Sequence, residues 1–135
     1  MFVISPVQDR SEYDSITERF SLDPKEGAFI YAMKDKSSGE LMGISRFDIN
    51  GEYGYIYELI NAENYSDVEA MFILGRATMN FIDLCGSHIC RADLSRSDKK
   101  LLHAIGFREV DGKDYYECNM EGMFDGHCSG DEKKL

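Results

Sequence analysis

Glu58 stands in a tyrosine-rich run, Tyr53-Gly54-Tyr55-Ile56-Tyr57-Glu58-Leu59. Carboxylates partly withdrawn from water are the ones that work as general bases near neutrality. The blander reading, which the strand setting favours, is a solvated carboxylate on the face away from the core. Cys85-Gly86-Ser87-His88-Ile89-Cys90 brings two thiols and an imidazole close together. Zinc sites pair such ligands as Cys-x2-Cys or His-x3-His, and no second half is present, so no metal is expected and the thiols read as core residues. His103 has an imidazole suited to proton transfer, but its setting on a short helix favours a surface position. His127-Cys128 could form a thiolate–imidazolium pair that accepts an acyl group or senses oxidants. Adjacent residues seldom share that geometry.

The elements that must position these groups are well signalled. Phe2-Val3-Ile4 is a short strand closed by Pro6. Asp9-x-x-Glu12 has the spacing of a capping box, and Tyr13, Ile16 and Phe20 form the apolar face of the helix behind it. Residues 28–33, 41–49 and 53–60 read as a three-stranded antiparallel meander, with Asn50-Gly51 predicting a two-residue hairpin. From Ser66 to Cys85 the period becomes helical: Glu69, Arg76, Asn80 and Asp83 form a narrow wet stripe on a helix that is otherwise apolar. Such a helix is expected to be buried on most sides, with Gly86 ending it. Residues 89–93 make a strand, and Ser97-Asp98 opens a helix carrying Leu101, Leu102 and Ile105. Strands at 107–110 and 113–120 flank the turn Asp111-Gly112. The order is β-α-β-β-β-α-β-α-β-β, an α/β (α+β) layered fold of mixed strand directions. Residues 1–120 are expected to form a single domain and residues 121–135 a flexible polar tail.

Composition sets the class. With 135 residues the chain fits one domain, and with 43% hydrophobic and 30% charged residues it is ordinary globular material. A net charge of −10 repels a phosphate backbone, which excludes nucleic acid as an expected partner. No apolar run approaches the ~20 residues of a membrane span. The N-terminus lacks the pattern of a signal peptide, so a cytoplasmic setting with reduced thiols is expected. A monomer or weak homodimer is expected.

At this point the chain resembles the GNAT acetyltransferase superfamily over nearly its whole length, as a divergent member. The resemblance rests on element order and on two stretches. Tyr55-Ile56-Tyr57-Glu58-Leu59-Ile60-Asn61-Ala62-Glu63-Asn64-Tyr65 is similar to the family's fourth strand and following loop, and Leu101-Leu102-His103-Ala104-Ile105-Gly106-Phe107 to its last helix. The resemblance implies a mostly antiparallel sheet of six or seven strands with helices on both faces. It also implies acetyl-CoA as cosubstrate and transfer of an acetyl group to a small or peptidyl amine.

Carried over residue by residue, the match is incomplete. Glu58 falls on the family's general base and Ser95 on the Asn that often precedes the last helix, so these two are the candidate catalytic residues. Main-chain groups of Ile60 and Asn61 would hold the pantetheine and thioester. The Arg/Gln-x-x-Gly-x-Gly/Ala loop that cradles the pyrophosphate corresponds to Ser66, Asp67, Val68, Glu69, Ala70 and Met71. There the glycines are missing and two carboxylates stand where phosphate charge should bind. A rival register, Phe72-x-x-Gly75-x-Ala77, would put the anion site in mid-helix and is rejected. Leu102 replaces the tyrosine that protonates the departing thiolate. The alternative reading is therefore a GNAT-fold module that has lost its coenzyme site and binds a ligand or protein instead.

Overall fold

The computed structural model describes residues 1–95 and 97–124. Ten elements follow in the expected order: β1 (Phe2–Pro6), α1 (Arg10–Arg19), β2 (Phe29–Asp35), β3 (Leu41–Ile49), β4 (Gly54–Asn61), α2 (Val68–Leu84), β5 (Ile89–Asp93), α3 (Lys99–Ile105), β6 (Arg108–Glu109) and β7 (Tyr115–Asn119). They build one seven-stranded sheet, β1-β2-β3-β4-β5-β7-β6, in which the pairing of β4 with β5 is parallel and all others are antiparallel. A parallel neighbour needs a crossover, and α2 supplies it.

The two faces of the sheet carry different helices. On one, Ile16 of α1 packs on Ile30 and Ile44, with Tyr13, Phe20 and Ile60 around them. On the other, Met71, Leu74, Met79 and Ile82 of α2 and Leu101, Leu102 and Ile105 of α3 join Phe47, Ile56, Leu59 and Phe107 in the main core. The α2 stripe is close to what its polar spacing predicts, but the helix is less enclosed than its composition suggests. Val68, Ile73 and Leu84 are exposed, because the sheet and α3 cover one side of α2 and leave the other to water.

Several local expectations need correction. Asp9 caps α1 by accepting from the Glu12 amide at 3.0 Å, but the Glu12 carboxylate pairs with Lys34 on β2 instead of reaching back. The Asn50-Gly51 connection is four residues long, since Ile49 faces Gly54. Asn50 Oδ1 accepts from the amides of Glu52 and Tyr53, each at 3.0 Å, and holds the wider loop together. Gly54 follows because a Cβ there would lie 2.5 Å from Ile82 of α2. The stretch after Met120 is also no free tail at its start: Met123 and Phe124 pack against the main core. Residues 125–135, including His127-Cys128, lie outside the described residues.

The strand that positions the site is β4. Arg46 faces Glu58 while Phe47 faces Ile56, so Tyr57 is an extra residue, a β-bulge. Ile56 thereby joins the α2 core, and Tyr55, Tyr57 and Glu58 come to the opposite face.

Candidate active site at the split between two parallel strands

Parallel pairing of β4 with β5 runs over three partners, Gly54 with Cys90, Tyr55 with Arg91 and Ile56 with Ala92, and stops there. Beyond the bulge β4 continues to Asn61, and a single bridge from Leu59 to Ser97 spans the gap. The Ser97 hydroxyl is buried without a hydrogen-bond partner, an uncommon and costly condition for a polar atom. Along this divide lies a cavity of about 350 Å³ between the end of β4, the first turn of α2 and α3. Leu59, Ile60, Met71 and Leu101 give it an apolar wall, and Asn61, Asp98 and Lys100 stand among its polar lining. Gly75 lies in mid-helix, where a Cβ would meet Ile105 at 2.5 Å. That glycine serves helix packing and makes no anion loop.

The first turn of α2 stands where the resemblance leads one to expect a glycine-rich phosphate loop. Asp67 is the N-cap, with its Oδ1 accepting from the Ala70 amide at 3.0 Å and its carbonyl from the Met71 amide at 3.1 Å. The cap satisfies donors that an anion would otherwise take. Glu69 lies in the same turn and Val68 is exposed beside the cavity. Of residues 66–71, Val68 and Met71 line the cavity together with Ile60 and Asn61. Lys100, absent from the sequence-based site, stands on the α3 side and supplies a positive charge there.

Glu58 lies on the far side of β4 from this cavity, 5% exposed. Its two oxygens accept from Arg46 Nε at 2.7 Å and Nη2 at 2.9 Å, and Arg46 Nη1 donates to the Asp23 carbonyl at 2.6 Å. A fork of this kind is the strongest form of carboxylate pairing. The carboxylate is thus not the solvated one of the alternative reading: it is buried, and both of its oxygens are held by Arg46. Ser95 is exposed in the turn after β5, where its amide and hydroxyl both donate to Asp93 Oδ1. It does not meet Glu58 through any hydrogen bond. Leu102 is fully buried in the core, so α3 places no acid at that position.

On the other face of β4, running from the β3–β4 hairpin toward the divide, a second cavity, of about 420 Å³, is walled by Tyr53, Tyr55 and Tyr57 and bordered by Lys25, Asp48 and Asp93. The rings of Tyr55 and Tyr57 lie 5.2 Å apart, and Tyr57 Oη donates to Asp48 at 3.4 Å. Burial, then the charge of Asp93, pushes the Tyr55 phenol up to about 12. The sequence shows the tyrosines but not Lys25, Asp48 and Asp93 with them, since only strand register brings these together.

The remaining candidates are scattered. Cys90 and Cys118 are buried cross-strand neighbours, and burial raises the Cys90 thiol well above and the Cys118 thiol above the usual range. Cys85 is exposed, unlike the core thiol expected. His88 pairs with Asp83, and His103 meets the edge of Tyr116 at 5.3 Å between ring centres. Among the described residues no three His, Cys, Asp or Glu converge as a metal site would require. No described helix is long and apolar enough to cross a membrane.

No family model matches the sequence, and no curated protein matches it. Solved structures do. The ribosomal-protein-S18-alanine N-acetyltransferase of Escherichia coli superposes with a TM-score of 0.69 at 11% identity, over 89% of this chain and 94% of that one. A GNAT-family acetyltransferase of Staphylococcus aureus Mu50 gives 0.66 at 10% identity, over 87% and 99%. The GNAT-family N-acetyltransferase YhbS of Escherichia coli, solved in complex with CoA, gives 0.60 at 10%, over 88% and 81%. With its element order, parallel β4–β5 pair and layered helices, the chain has the GNAT acetyltransferase fold.

Proposed function

We propose that the protein is an acyl-CoA-dependent N-acyltransferase that moves an acetyl group from acetyl-CoA to a small or peptidyl amine. The observation that carries this reading is the divide itself: β4 parts from β5 after Ile56 and leaves an apolar cavity bounded by a helix N-terminus. A thioester arm needs an apolar channel with main-chain groups along one edge, and Leu59, Ile60 and Asn61 line such a channel. Main-chain N–H groups there would polarise the thioester carbonyl as charge builds on its oxygen. The amides of residues 66–71 would meet the pyrophosphate once Asp67 swings off its cap, with Lys100 offsetting the charges of Asp67 and Glu69.

Proton removal from the attacking ammonium falls to Glu58 by the family match. Under Arg46 it reaches the amine only through an intervening water. The departing thiolate is a fair leaving group in itself, so the loss of the tyrosine at Leu102 slows the reaction and does not forbid it. A second reading, a module with no transfer activity, draws support from the occupied cap and the two carboxylates at the start of α2. Thiol release from acetyl-CoA, followed over a panel of amines, separates them. Transfer is expected, with Glu58→Gln reduced 10²-fold or more if the carboxylate relays the proton. Absence of thiol release with every amine, in a chain that also fails to bind acetyl-CoA, would leave the module.

A further inference from the structure

The tyrosine-walled cavity has a chemistry of its own. Its rings are faces for cations: Arg91 stands 4.0 Å from the centre of Tyr53, and Lys25 places its ammonium 4.9 Å from the centre of Tyr57. Charge matching around it is uneven. Arg46 is held by Glu58 and Arg91 by Glu117, which leaves Asp48 and Asp93 on the cavity border with Lys25 as the cation there. Lys25 is exposed, lies in the loop between α1 and β2, and has no ion pair among the described residues. An aliphatic ammonium of the chain itself therefore already stands over one ring of the cavity.

We propose that this cavity is a binding site for a primary alkylammonium without a carboxylate, and that Lys25 is its resident competitor. The cation of the ligand would lie on the faces of Tyr55 and Tyr57 with Asp48 and Asp93 as counter-charges, and its alkyl body against the rings. A carboxylate on the ligand would meet Asp48 and Asp93 and be repelled. Two of its lining residues, Tyr57 and Asp93, lie just past the last paired residues Ile56 and Ala92, which makes it the acceptor side under the acyltransferase reading. The proposal rests on that reading for its role in transfer and not for binding.

The test is isothermal titration of the full chain with n-butylamine and with sodium butyrate, in the absence of acetyl-CoA. Lys25→Met keeps the stem and removes the competing charge, and is expected to bind butylammonium about three- to tenfold more tightly than the unaltered chain. Asp48→Asn made in the Lys25→Met background should weaken it by about the same factor, and butyrate should give no heat with any variant. Equal binding of amine and butyrate would overturn the proposal, as would no butylammonium binding by Lys25→Met or indifference to Asp48→Asn. Butylammonium binding in a chain that does not bind acetyl-CoA would keep the cavity and sink the acyltransferase.

Discussion

The two edges of β4 are held in different ways. Toward β3 it is tied from Gly54 to Asn61, with the bulge at Tyr57 as the one irregularity. Toward β5 the ladder holds for three residues and then gives way to a cavity. The difference has a local cause. The bulge adds twist and turns the strand past Ile56 away from a neighbour that must run parallel to it. It also puts Tyr57 and Glu58 on one face, so the tied edge buries Glu58 against Arg46 while the open edge leaves Leu59 to Asn61 for a ligand. Rigidity on one side is what allows the other side to stand open without collapse.

The comparison breaks most sharply at the tied edge. Glu58→Ala leaves the Arg46 guanidinium buried and unpaired, and should cost about 3–5 kcal/mol of unfolding free energy in denaturant titration. Glu58→Gln is expected to cost less, which is why it suits the activity assay. At the closed end of the β4–β5 ladder, Gly54→Ala drives a methyl group into Ile82, and overpacking of this kind costs about 1–3 kcal/mol. Ile82→Val in the same chain should recover part of that loss, and full additivity would contradict the contact.

Effects at the open edge are smaller in stability and larger in binding. Asp67→Ala removes the α2 cap and should cost about 1 kcal/mol. Asp67→Asn keeps an acceptor oxygen but drops the charge, so it should leave unfolding nearly unchanged and tighten acetyl-CoA binding. The smallest effect concerns pH. The Tyr55 phenol is held at about 12 in the folded chain against 10.0 for an ordinary tyrosine. Its contribution to stability is whole below pH 10, declines above it and is lost as pH rises through 12. Denaturation followed between those values should show a loss that Tyr55→Phe reduces.

Element order was legible because each segment's period and its stop signals agree: Leu41–Ile49 is a strand and α2 a helix by any reading of their residues. Pairing was not legible. A two-residue turn at Asn50-Gly51 would set Arg46 opposite Tyr55, whereas the longer loop and the bulge set it opposite Glu58. Simple alternation would likewise put Ile56 and Glu58 on one face, and the bulge separates them. Register errors of this size decide whether a carboxylate reads as solvated or as half of a buried pair. The same reason hid the meeting of Lys25, Asp48 and Asp93, which come from three separate elements and loops. At α2 the sequence was more informative, since the helix marked by the change of period after Ser66 forms from Val68 to Leu84.

The open edge is tested most directly by isothermal titration with acetyl-CoA of the unaltered chain beside Ala104→Trp. Ala104 is an exposed residue on the cavity wall, where a large ring fills the space without entering the core. Micromolar binding by the unaltered chain, lost in Ala104→Trp while both unfold alike, is the expected result. Absence of binding by the unaltered chain at about 1 mM ligand, equivalent to less than roughly 4 kcal/mol of affinity, would contradict the coenzyme site. Equal binding by both chains would place the coenzyme elsewhere.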